Sequence, residues 1–150
     1  MTPQIPFIDL SQRPPRGFRV RLGNFVILAR LPDKGRATLA EKNGEYYTSM
    51  DEPLGKCLGF DPEALLIELA TGKGDWGMLQ WIQANSKTPR ALWEIEVWSA
   101  FMEKRAPDSD VESLKFFNEY VGKLSKERND IKTWFEAIEL DDCVTFGGKV

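Results

Sequence analysis

Four arginines fall within nine residues in Arg13-Pro14-Pro15-Arg16-Gly17-Phe18-Arg19-Val20-Arg21, the densest charge cluster of the chain. A guanidinium is a planar fork that suits carboxylates and phosphates, so such a cluster is suited to binding anions. Four uses compete: a clasp onto acidic parts of the same chain, a site for a small molecule bearing phosphate or carboxylate, a nucleic-acid contact, and a contact between copies. Nucleic acid is disfavoured, because Phe18 alone is a thin stacking platform and the rest of the chain is acidic. In the small-molecule reading Arg16 and Arg19 are the primary ligand-binding residues. Arg30 and Lys34 join them if one helix carries both, with Asp33 and Arg36 at the margin. Glu45 and Tyr46 complete the pocket, and Trp93 or Trp98 supplies an apolar wall.

A second constellation centres on Glu94, next to Trp93 and four residues before Trp98. A carboxyl against an apolar wall rises in pKa and can act as an acid or base, here with Glu45 or Asp51 as partner and Arg30 or Arg105 as electrostatic stabiliser. The structural alternative is a pairing with Arg90, four residues earlier on the same helix.

The chain contains no histidine. That removes the commonest general base and the commonest metal ligand. Ser-His-Asp triads, histidine-based zinc sites and the two-histidine iron triad are closed to it, while carboxylate-only magnesium or calcium sites stay open. Cys57 and Cys143 are far apart with no CxxC spacing, so two free thiols are expected. Nothing in the pattern assigns a cofactor or a metal.

These groups must be positioned by a chain of 150 residues, 42% hydrophobic and 29% charged, the size and composition of one globular domain spanning 1–150. Its net charge of −3 is uneven. Residues 1–40 carry seven cationic side chains against two carboxylates, and the remainder carries thirteen against 21. A basic leader on an acidic body either folds back or meets an anionic partner. The longest apolar run, Phe25 to Ala29, is far too short to span a bilayer, and the N-terminus lacks the basic start and apolar core of a signal peptide. A cytoplasmic protein without a membrane segment is expected.

Prolines 3, 6, 14 and 15 predict an extended Pro/Arg-rich leader over residues 1–21. Leu22, Phe25, Val26, Leu28 and Ala29 suggest a helix that Pro32 kinks or breaks, with a second short helix to about Ala40 closed at Asn43-Gly44. Glu45-Tyr46-Tyr47-Thr48-Ser49 has strand-like composition and could pair with Cys143-Val144-Thr145-Phe146. Asp61-Pro62 starts a helix that Gly72 closes. Further helices are expected from Asp75, from Thr88-Pro89 to Ala106-Pro107, from Asp108 or Ser109, and from Asp130. The helix Arg90–Arg105 is apolar on two arcs, one with Ile95, Trp98 and Met102 and one with Trp93, Val97 and Phe101, which predicts a helix buried on both sides. Trp76 and Trp93 are expected in the core, with a pocket or an interface as the alternative for either. The fold class expected is mainly all-α, a compact multi-helix bundle with the extended leader and at most one short two-strand pairing.

Several blocks of this sequence match a known pattern. They run through Asp9-Leu10, Arg13-Pro14-Pro15-Arg16, Arg21-Leu22-Gly23, Ile27 to Leu31, Asp33-Lys34 and Arg36-Ala37. They continue in Gly44-Glu45-Tyr46, Trp93-Glu94, Trp98-Ser99, Arg105 to Asp108, Trp134-Phe135, Asp141-Asp142, Val144 and Phe146 to Lys149. In these the chain resembles the bacterial family DUF5069 over nearly its whole length. The resemblance implies a single intact domain and contributes no catalytic residue.

The function expected is a binding module for a small anionic molecule. The alternatives are a histidine-free enzyme working through carboxylates, and a homo-oligomeric or partner-binding helical protein with Trp76 and the Gly72-Lys73-Gly74 loop as contact points.

Overall fold

A computed structural model describes residues 5–46 and 52–148 of the chain. Among them are helices α1 (Arg30–Leu39), α2 (Glu52–Leu58), α3 (Pro62–Leu69), α4 (Asp75–Asn85), α5 (Leu92–Lys104), α6 (Val111–Leu124) and α7 (Trp134–Thr145). The described residues form no sheet, only an isolated bridge between Leu22 and Phe25. The strand pairing considered for residues 45–49 and 143–146 is absent on its second side, because Cys143 to Thr145 are the last turn of α7. Tyr47 to Ser49 and Asp51 lie outside the described residues.

The structural centre is the buried segment from Phe25 to Gly35. Its first part is not the helix that the apolar spacing suggested. Gly23 (φ 58) and Asn24 (φ 66) form a tight turn, with Leu22 and Phe25 exchanging backbone hydrogen bonds of 3.0 and 3.1 Å. A Cβ on Gly23 would lie 2.6 Å from the Leu79 side chain. Ser99 on α5, fully buried, holds this turn: its Oγ accepts from Val26 N at 3.1 Å and donates to the Asn24 carbonyl at 2.7 Å. Ile27 then sits at φ 73, a left-handed conformation that is strained for a β-branched residue. With no helical periodicity to follow, every side chain from Phe25 to Ala29 can be buried, and their run forms the middle of the main core.

Pro32 does not break α1. It occupies the first helical turn, where a backbone N–H has no intrahelical acceptor, so its missing donor costs nothing there. The same helix therefore carries Arg30 and Lys34 one turn apart. Its end also differs from expectation. Glu41 (φ 56) is the left-handed residue, with Lys42 N bonded to Ala37 O and Glu41 N to Thr38 O, a Schellman closure. Gly44 (φ 54) serves a separate turn beside the leader, where a Cβ would meet the Leu10 carbonyl oxygen at 2.7 Å.

Asp61 caps α3 through Glu63 N, with Pro62 at its first position and Gly72 (φ 89) beyond its end, as its sequence signals require. The later caps are displaced from those expected. Asp110 rather than Asp108 or Ser109 caps α6. Thr133 caps α7 in a capping box with Glu136, while Asp130 instead holds Arg128 through two bonds of 2.6 and 2.8 Å. The main core joins Phe25–Leu28 to α2, α3, α4, α5 and Phe135, and a smaller cluster joins Phe117 and Val121 of α6 to Ile131, Ala137 and Leu140.

Helix α5 is not buried on both sides. Ile95, Ser99 and Met102 face the core, and Trp98 packs edge-on against Phe25 at 6.0 Å. Trp93, Val97 and Phe101 are 68%, 61% and 61% exposed, and Trp76 is exposed as well.

Candidate functional site

The arginine leader is docked. Leu10 is buried and its N–H bonds to Lys42 O, and Pro15 is buried behind it. Arg16 spends its whole fork on the body. Nε and Nη2 hold the two carboxylate oxygens of Asp33 at 2.9 and 3.0 Å, Nη1 reaches Asp75 at 2.8 Å, and Nη2 also meets the Ala29 carbonyl at 3.1 Å. Arg36 completes the clasp on Asp75 at 2.9 Å. Burial alone would raise the Asp75 carboxyl, but the hydrogen bonds from Arg16 and Arg36 outweigh it and hold it below the ordinary carboxylate value. Arg19 lies apart, paired with Glu139 at 2.6 Å on the surface.

Arg30 begins α1 and points into the protein with its side chain 4% exposed. Nη1 bonds to Asp142 at 2.8 Å and to the Arg16 carbonyl at 3.1 Å. The guanidinium carbon lies 4.4 Å from the centre of the Phe18 ring and 5.7 Å from that of Tyr46. Its Nε–H is buried with no hydrogen-bond partner among the described residues. Asp142, in the last turns of α7, also accepts from the Tyr46 hydroxyl at 2.8 Å. Its neighbour Asp141 accepts from Tyr120 at 2.5 Å and from Thr145 at 3.2 Å. Two carboxylates near a helix C-terminus stand against the helix dipole, so the donors around them are needed to keep them there.

These groups line an open cavity of about 220 Å³, bordered by Phe18, Arg30, Lys34, Glu45, Tyr46, Tyr120, Ile138, Asp141, Asp142 and Thr145. Lys34 is only 3% exposed, and Glu45 is exposed. Burial first, and then the hydrogen bond to a neighbouring aspartate, push the phenols of Tyr46 and Tyr120 well above the ordinary tyrosine value. Both are therefore fixed as neutral donors at physiological pH, unfit to act as bases there.

Four of the residues expected to bind ligand, Arg30, Lys34, Glu45 and Tyr46, thus meet at one cavity. Arg16 and Arg19 do not line it, and Trp93 and Trp98 are on α5 outside it. Glu94 is no cavity residue either: it accepts from Ala91 N at 2.7 Å, capping its own helix, and lies 4.0 Å from Arg90. Asp51, its suggested partner, lies outside the described residues. Sequence reasoning missed Tyr120, Ile138, Asp141, Asp142 and Thr145. The Asp141-Asp142 pair at the end of an apolar helix was the available signal, since charges there oppose the dipole.

Cys57 is buried, Cys143 is exposed, and both are free thiols. Among the described residues no group of three or more Cys, Asp or Glu is placed to hold a metal ion. No helix among them is long and apolar enough to cross a membrane. No curated protein matches the chain. The family model described as a domain of unknown function, DUF5069, matches residues 12–144, spanning the clasp, α1 and all of α7 but its last residue, and the chain belongs to that family.

Proposed function

We propose that this protein is a binding module for a small anionic molecule, and that the ligand enters the cavity between α1, α6 and α7. The observation that carries this reading is that Arg30, whose buried Nε–H has no partner among the described residues, lines that cavity. An unsatisfied buried donor costs about 1–3 kcal/mol, which a carboxylate or phosphate oxygen would recover if the guanidinium turned its Nε–H towards the cavity. Arg30 offsets the charge of Asp142, and the Tyr120 and Thr145 hydroxyls solvate the Asp141 carboxylate, whose charge remains, so an entering anion is held by the cationic α1 side of the cavity. Phe18, Tyr46, Tyr120 and Ile138 offer an apolar wall to the body of the ligand.

The test is a melting-temperature screen of small mono- and dicarboxylates, sugar phosphates and nucleotides. A ligand at ~100 times its dissociation constant stabilises by about 2.7 kcal/mol. One chemical class should stabilise the wild type and Arg19→Ala, whose side chain lies outside the cavity, and fail to stabilise Lys34→Met. If no anion stabilises the wild type, or if Lys34→Met responds as the wild type does, the reading is wrong.

A further inference from the structure

Trp93, Val97 and Phe101 recur every four residues along α5 and project on one stripe, opposite the buried Ile95 and Met102. Each is more than 60% exposed, so three large apolar side chains stand in water on a single helix face. Scattered exposed apolar residues need no explanation, but a continuous stripe marks a contact surface. The face is also charged in a particular way. Glu94 stands near its start and Lys104 at its end, on the same side as the stripe at 100° per residue. Lys104 and the adjacent Arg105 side chain make no ion pair among the described residues.

We infer that this α5 face pairs with the same face of a second copy of the chain, antiparallel about a twofold axis at the level of residue 99. In that register Val97 of one copy lies across Phe101 of the other, and Lys104 across Glu94, whose carboxylate also accepts from Ala91 N and stands 4.0 Å from Arg90, each contact occurring twice by symmetry. Trp93 then meets the last turn of the opposite helix, where Arg105 can lie over its ring. A parallel pairing would set Glu94 against Glu94 and Lys104 against Lys104, so the charges select the antiparallel one. An axis at residue 97 would bring Lys104 against Arg90, again like charges. The seam is one helix of thirteen residues, roughly 20 Å long, which places the interface at the small end of specific ones. The dimer is accordingly expected to be a weak one. This surface is separate from the α1–α6–α7 cavity, so it stands or falls without the ligand reading.

Sedimentation velocity of the full chain at concentrations from about 1 to 500 μM tests it. The mass should rise from 17.1 kDa towards twice that value. Val97→Glu should weaken association at least tenfold while leaving the melting temperature at low concentration unchanged, because Val97 is exposed in the single copy. Lys104→Glu should weaken it less, and by an amount that shrinks as salt is added. On a Cys143→Ser background, an equimolar mixture of Val97→Cys and Phe101→Cys chains should oxidise to the mixed disulfide in preference to either homodimer. A monomer at every concentration overturns the proposal, including the case in which a different protein covers the stripe. A dimer indifferent to Val97→Glu places the contact elsewhere, and preferential Val97→Cys homodimers overturn the register.

Discussion

Replacing Asp142 by alanine removes the counterion of Arg30 without touching Arg30 itself. The arginine side chain is 4% exposed and Asp142 is 15% exposed, so the pair is desolvated on both sides. Breaking a buried pair by deleting one partner costs about 3–5 kcal/mol, because the remaining charge is stranded. The Tyr46 hydroxyl loses its acceptor in the same step, a loss that overlaps with the first rather than adding to it in full. Asp142→Ala is therefore expected to cost about 3–5 kcal/mol, lowering the melting temperature by roughly 6–20 °C for a chain of this size. Urea unfolding should show the same loss as a lower midpoint at an unchanged slope. The paired variant Arg30→Met/Asp142→Leu removes both charges and keeps apolar bulk beside Phe18. It should be more stable than Asp142→Ala, within about 2 kcal/mol of wild type. A cost below about 1.5 kcal/mol for Asp142→Ala would refute the reasoning. So would a double variant less stable than the single one, since the cost would then not arise from a stranded charge.

The raised phenols of Tyr46 and Tyr120 give a direct optical test. A folded state that holds protons more tightly than the unfolded one keeps its advantage below the ordinary tyrosine value near 10 and loses it as the pH rises through the raised values. Phenolate absorbance at about pH 11 should thus report at most one of the three tyrosines, the others ionising only with unfolding. Full reversible ionisation with the helical circular dichroism intact would contradict the Tyr46–Asp142 and Tyr120–Asp141 bonds. At the acid end, Asp75 is held below its ordinary value of 3.8, so the Arg16 clasp contributes fully above that value and is lost as pH falls through the lower one. Wild type should lose more stability between about pH 4 and pH 2 than Asp75→Asn does, and equal acid slopes would deny the clasp that role.

Much of the architecture was legible in the sequence because its signals are local. Asp61-Pro62 and Gly72 bracket α3 through one side-chain bond and one left-handed backbone, both decided within a few residues. The basic leader left open whether it folds back or meets an anionic partner, and Asp33 and Asp75 hold Arg16 on the body. The segment Phe25–Ala29 was misread as a helix because burial on all sides also yields a run of apolar residues, and periodicity cannot separate the two. Pro32 was misread because its effect depends on where the helix begins, which a turn at Gly23-Asn24 and a strained Ile27 decide from outside the helix. The residues Arg30, Lys34, Glu45 and Tyr46 could be named from type and spacing. Asp141, Asp142 and Tyr120 are distant in sequence, and only the tertiary fold, which sets α7 and Tyr120 opposite the first turns of α1, brings them to one cavity. The second apolar arc of α5 shows the same limit from the other side. Sequence set Trp93, Val97 and Phe101 on one face, but whether that face is covered depends on which elements pack against it, and in this fold the core takes only the opposite side.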